Sequence, residues 1–523
     1  MPRNVVYLSP QQEDPFWKKL NETPIQPALE HNLVQINRDM GGSDDLVIRP
    51  IRYPKSTRTA AAVVYIDGLS DAAAISNYIF DVLSGSLAGP DFALGRELGL
   101  SLEQLTEELA VGLGSIDSVS NYAGIYRHML SGEALILIDG AQYAFRVDIR
   151  DWKSRDVSES TNQTSIRGPR ESFTETLRVN TSLLRRKIKD PRMWLETVEI
   201  GRMTKTAVTI AYVRGLAKPS VLDNVRSRLS AIDIDGVLDS GYLEELIEDA
   251  KLSLFPTVYN SELPDDVAAQ MLEGKVAILV DGTPNALIVP TGLSVFFQST
   301  EDYYQRSFYA SLLRLLRFLT VFISLLFPSL YIAITTFHRE MLPASLLFSL
   351  AAQREGVPFP AFVEALVMEV TFEILREAGL RMPRAIGQAV SVVGTLVIGQ
   401  AAVEAGIVSA AMVIVVSITA ISTFTLPAYS MSIPIRILRF VFMAAAASFG
   451  LFGIILGLFI LLLHLCSLRS FGEPFMAPFS PYRSTEMEDA LLRLPRWLSF
   501  KRPESSTSGG ATRIRMRRGG GRR

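Results

Sequence analysis

Apolar positions are distributed very unevenly along the chain. Before residue 318 they come in short runs broken by charges and turn residues. After it they form long uncharged stretches. In the first part, two segments repeat one another. MLSGEALILIDG at 129–140 matches MLEGKVAILVDG at 271–282. In each, an apolar run between a glycine turn and an Asp-Gly pair predicts a buried strand. The residues that follow, QYAFRVDI and PNALIVPT, predict its hairpin partner across a tight turn. Upstream, AVVYIDGL at 62–69 parallels VTIAYVRGL at 208–216, each predicting a strand, a Gly-Leu turn and then a helix (72–83 and 220–229). This is an internal repeat. The reading is an α+β cytosolic part of two similar α/β subdomains, with cores over about 60–150 and 200–295 and outer bounds of 51–160 and 201–300. Residues 1–50 read as a polar, flexible arm. A basic helical linker at 161–200 carries a helix at 173–189 that ends in Arg185, Arg186, Lys187 and Lys189. That helix reads as a solvated face or a subunit contact, with Arg185 and Arg186 as the contact residues. Binding to anionic lipid is the sharper alternative. Asp139 and Asp281 read as turn residues rather than as paired catalytic acids.

The second part predicts an all-α transmembrane bundle of about four helices within 301–470. A span needs about 20 mostly apolar residues. The uncharged stretches are 318–337, 385–403, 405–435 and 440–468. Between the first two lies a different helix, at 361–380. It carries Glu364, Glu369, Glu373, Arg376 and Glu377. Steps of four align the last three glutamates, with Arg376 able to pair with Glu373. Such a helix fits the membrane interface, or a place inside an oligomer, better than lipid. On the second span, Gln388, Ser391, Val392, Thr395, Gly399 and Ala402 share a small and polar face. That face suits close helix packing or a narrow path with Val392 as an apolar gate. Glu369, Glu373 and Glu404 are the charged residues placed near such a path. Residues 471–523 read as a cytosolic tail, disordered after about 500. Arginines at both ends place both termini in the cytosol, but Arg381, Arg384, Arg436 and Arg439 then fall on the wrong side of four spans.

Composition narrows the chemistry. Lys+Arg is 52 against Asp+Glu 54, so global charge points to no nucleic-acid partner. The single cysteine, Cys466, excludes an intrachain disulfide. The four histidines are scattered, and phosphate-loop, HExxH and GxSxG motifs are absent. No enzyme activity, cofactor or metal is expected. The first residues lack the apolar core of a signal peptide, so the soluble half is expected to stay in the cytosol.

Longer stretches carry a resemblance: Arg167-Gly168-Pro169, LDSGYLEELIED at 238–249, Phe255-Pro256, REGVPFP at 354–360, EALVMEVTFEILREAGLRMP at 364–383, VIGQAAVEA at 397–405 and Ser470-Phe471-Gly472. Over about 60–480 the chain resembles the A subunits of the GerA-type spore germinant receptors, or their sporulation-specific paralogues. The resemblance implies a multi-pass protein of the spore inner membrane that works with B and C subunits. It also implies a ring-shaped homo-oligomer, pentameric, in contact with membrane lipid and forming a ligand-gated cation channel that triggers germination. A non-conducting scaffold or signal-transducing subunit is the alternative. A transporter would need more spans and broken helices.

Overall fold

The computed structural model describes residues 14–52, 59–80, 116–150, 167–382, 399–498 and 502–508. The N-terminal part holds two antiparallel five-stranded sheets of the same topology. The first comprises β1 (Leu46–Arg52), β2 (Thr59–Ile66), β3 (Ile116–Val119), β4 (Ala134–Ile138) and β5 (Ala144–Val147), in the order β1-β2-β4-β5-β3. The second comprises β6 (Met193–Ile200), β7 (Thr206–Val213), β8 (Tyr259–Ser261), β9 (Val276–Val280) and β10 (Ala286–Val289), in the order β6-β7-β9-β10-β8. β4 and β9 are buried at every position, which is why they read as unbroken apolar runs rather than as alternating ones.

Each unit begins earlier than the periodicity indicates, the first by two helices and a strand, the second by one helix and one strand. Residues 14–50 are not an arm. They form α1 (Pro15–Glu22), α2 (Leu29–Asp39) and most of β1. Leu20, Ile25, Leu29, Ile36 and Met40 join Ala62, Val64 and Leu135 in one core, together with Tyr126 of α3 (Tyr122–Met129). Likewise 161–200 is not a linker: its described part supplies α4 (Leu177–Lys187) and β6, the counterparts of α2 and β1. The two Asp-Gly turns explain the correspondence. Asp139 Oδ1 accepts from the Leu29 amide at 3.3 Å, and Asp281 Oδ1 from the Leu177 amide at 3.0 Å. Gly140 and Gly282, at φ 92° and 90°, donate to the carbonyls of Pro27 and Glu175. Each turn thereby satisfies a free N–H at the start of the helix laid across its unit. Asn32 and Asn180 brace those entries identically, each clasping the backbone six residues upstream.

In the second unit, α5 (Pro219–Ser230) and α6 (Ser240–Ile247) cover one face, and α4 and α7 (Pro264–Leu272) the other. The core around α4 and α7 continues into the helical part, where Phe297 stacks on Phe318 at 4.1 Å.

The helical part contains α8 (Ser307–Thr336), α9 (Ala344–Arg354), α10 (Ala361–Arg381), α11 (Gly399–Glu404), α12 (Ala410–Thr423) and α13 (Tyr429–Ser467). Among the described residues, α8 and α13 are long and apolar enough to cross a membrane. Most of the predicted second span lies outside the described residues. The stretch 405–435 is not one helix. α12 ends at Thr423, the chain turns through 424–428, and residues from Tyr429 onward already belong to α13. The 39 residues of α13 are not one straight rod: a Cβ on Gly457 would come within 2.8 Å of the Phe442 ring, so the two halves of the helix pack against each other. Its helical geometry breaks at Gly450 (φ 60°), where a Cβ would come within 2.7 Å of the His338 ring. Arg436 and Arg439 therefore lie inside a helix rather than in a loop, so they do not count in the charge rule for orientation.

The chain then returns to the second unit. Ser470 Oγ donates to the Thr257 carbonyl and accepts from the Thr291 amide. Within the stretch expected to be disordered, residues 502–508 are packed, with Thr507 bridging Ala217.

Candidate functional site

The helix α10 follows Val-Pro-Phe-Pro, and Pro360 occupies its N-cap. One edge of it, Ala361, Glu364, Ala365 and Glu369, is buried, and it packs against α8, α12 and α13. Buried carboxylates in apolar surroundings persist only when paired, and each of these is.

Glu364 Oε2 accepts from the amide and hydroxyl of Ser409 at 2.9 and 2.5 Å. Ser409 is the N-cap of α12, so the carboxylate sits where the helix dipole is positive. Arg354 of α9 approaches the other oxygen at 3.6 Å. Glu369 accepts from Arg439 Nη1 at 2.6 Å, and both side chains are at most 1% exposed. The same guanidinium donates from Nε to the Ser324 carbonyl at 2.8 Å. Its Nη2 reaches Ser324 Oγ at 2.9 Å and Thr423 Oγ1 at 3.0 Å. One arginine thus ties α8, α10, α12 and α13 together. A turn further on, Glu373 takes a two-point contact from Arg436, with Nε at 2.9 Å.

Arg376 is therefore not the partner of Glu373. It lies over the rings of Phe424 and Tyr429, 5.2 and 5.7 Å from their centroids. Intrahelical spacing proposed that pair, but the arginines of α13 reach the glutamates first. The sequence did carry a signal for them. Arg436 and Arg439, three apart in an otherwise apolar helix, demand two acids at similar spacing, and Glu369 and Glu373 supply them.

Of the small-face residues, Gln388, Ser391, Val392 and Thr395 lie outside the described residues. Gly399 is buried at the start of α11, and Ala402 is half-buried. Glu404 is exposed and accepts from Gln400 Nε2 at 2.9 Å. Arg185 is not on a surface. It is fully buried, donating to Asp45 from Nε at 2.6 Å and Nη2 at 2.9 Å, to Ser43 Oγ at 2.8 Å and to the Met193 carbonyl at 2.7 Å. It joins the two units within one chain, which removes it as a subunit contact. Arg186 is half-buried and pairs with Glu171 at 3.1 Å.

A twin-sheet head joined to a helical part with two membrane-length apolar helices and a buried ion-pair core defines the class of protein. The family model for the "Bacillus/Clostridium GerA spore germination protein" matches residues 34–505, and the chain belongs to the GerA family. It is 47% identical over 481 residues to spore germination protein KA of Bacillus subtilis (strain 168), an alignment covering 92% of this chain and 87% of that one. It is 41% identical over 493 residues to the membrane protein YfkQ of the same organism, covering 93% of each. Among solved structures it matches the N-terminal domain of the A subunit of the Bacillus megaterium spore germinant receptor GerK3. That match is at 38% identity with a TM-score of 0.40, covering 51% of this chain and 96% of that one.

Proposed function

We propose that the chain is the A-type membrane subunit of a spore germinant receptor. It works beside B and C subunits in the spore inner membrane, with both termini cytosolic. Copies of it, about five as the family resemblance implies, assemble around a cation path. The observation that carries this reading is the buried Glu369–Arg439 pair, set among helices whose outer faces are apolar. Phe308, Leu312, Leu319 and Phe322 of α8, and Phe449, Phe452, Ile455 and Phe459 of α13, stand exposed. Such faces suit lipid or neighbouring copies. Ionised groups kept inside a bundle of that kind mark its working interior.

Within this reading Glu369 and Glu373 do not form a free acidic ring, because both are neutralised by arginines. They hold the wall of the helix group. The path is assigned to Gln388, Ser391, Val392, Thr395, Gly399 and Ala402, with Glu404 near its mouth. The same neutralisation favours a second reading, a non-conducting scaffold or signal-transducing subunit. Purified full-length protein in liposomes separates the two. Single cysteines along 388–402 in a Cys466→Ser background would be exposed to a charged thiol reagent. Cation flux blocked at 388, 391, 395 and 399, but not at 390, 393 and 397, supports the path. An assembled oligomer without flux leaves the scaffold.

A further inference from the structure

The internal repeat allows the two units to be compared position by position. Strand register equates 128, 133, 146 and 150 in the first unit with 270, 275, 288 and 292 in the second. In the first unit Glu133 is buried, with Oε2 2.9 Å from His128 Nδ1 and 3.1 Å from Arg146 Nη1, and Arg150 3.7 Å from Oε1. Burial pushes this carboxyl up, but His128 and Arg146 outweigh that and hold it below the ordinary range. The cluster is complete in itself.

In the second unit the charge is inverted and the partners are gone. The counterpart of Glu133 is Lys275, and Gln270, Ile288 and Gly292 stand where the three cationic side chains were. Lys275 is 7% exposed and its Nζ has no hydrogen-bond partner. Thr291, 3% exposed, has a hydroxyl that is equally unpartnered. Both line a cavity of about 260 Å³, together with Gln270, Gly292 and Ser506. Of the acids on the wall, Glu273 faces Lys275 along with Asp266 and Glu486, and four of those other than Glu273 already have donors. Glu473 is paired with Lys218, Glu486 with Arg483, Asp489 with Arg314, and Asp266 accepts from the Tyr259 hydroxyl. An ammonium and a hydroxyl buried without a hydrogen bond are costly, and a ligand oxygen would give each one.

We propose that this cavity binds a small oxyanion, a carboxylate or a phosphate group, on Lys275 Nζ and Thr291 Oγ1. The packed segment 502–508 closes the site, since Ser506 lines it and donates to the Glu273 carbonyl. The site lies between the second unit and the segments that follow α13, and is separate from the Glu364, Glu369 and Glu373 pairs of α10.

Burial pushes the Lys275 ammonium down to about 8, against the pull of the facing carboxylates Asp266, Glu273 and Glu486. The anion needs the protonated form, so binding should weaken as pH rises past about 8. The experiment is thermal unfolding of the full-length chain in detergent, titrated at constant ionic strength with sodium acetate or sodium phosphate in place of chloride. Wild type should show a saturable rise in Tm with at least one of them, and the two arms tell carboxylate from phosphate. Lys275→Met should weaken the apparent affinity roughly 10- to 100-fold, as expected for loss of one charge-assisted contact. In chloride it should unfold at no lower temperature than wild type, because it relieves the burial of an ammonium that makes no hydrogen bond. Thr291→Val provides the same comparison should Lys275→Met not fold. No saturable shift with either anion, or an equal shift in wild type and variant, overturns the proposal.

Discussion

Replacing Arg185 with methionine tests the junction between the two units. The guanidinium makes four hydrogen bonds, two of them to Asp45, and neither side chain is more than 7% exposed. Arg185→Met keeps much of the buried stem but strands Asp45, Ser43 and the Met193 carbonyl. Breaking one side of a buried ion pair costs about 3–5 kcal/mol, which is roughly a 10²- to 10⁴-fold rise in local opening. Hydrogen exchange followed by mass spectrometry on the full-length protein reads it directly. The amides of Asp44 and Leu195 report the junction, because Asp44 donates to the Leu195 carbonyl and Leu195 to Ser43 Oγ. Their exchange should accelerate by that factor. Arg186→Met, which loses a partly exposed pair with Glu171, should cost less than about 1 kcal/mol. Arg185→Met combined with Asp45→Leu should exchange more slowly than Arg185→Met alone, since the stranded charge is gone. Equal exchange in Arg185→Met and Arg186→Met would refute the burial argument and return Arg185 to the surface.

Two further outcomes follow from the ion pairs and the turns. Arg439→Met should lower the thermal stability of the helical part far more than Arg436→Met, by about 3–5 kcal/mol against about 1 or less. The reason is that Glu369 is fully buried while Glu373 is partly exposed. Heat-induced loss of the monodisperse detergent peak measures this, and equal losses would contradict the assigned pairs. Asp139→Ala and Asp281→Ala should each cost about 0.5–2 kcal/mol through the helix starts they cap. Faster exchange confined to α2 in the first variant and to α4 in the second would confirm the caps, while an unchanged helix start would show that the turns act alone.

What the sequence determined by itself is the local matter. Apolar runs of five residues between glycine turns specify β4 and β9, and their hairpin partners follow at fixed spacing. The repeat was legible because both copies keep the same Asp-Gly turn. α10 was legible in its pattern, nearly to the residue. The tertiary structure decided what depends on partners distant in the chain. Asp139 lies 110 residues from the helix start it caps, so nothing near 14–50 announced that segment as part of the first unit. Arg185 reads as the end of a solvated basic helix until Asp45, 140 residues away, is brought against it. Glu373 has an arginine three residues on, yet pairs with one 63 residues away. Spacing within a helix says which side chains can meet. Which of them do is settled by the competition to satisfy buried charge, and that is won by whichever partner the packing of helices brings within reach.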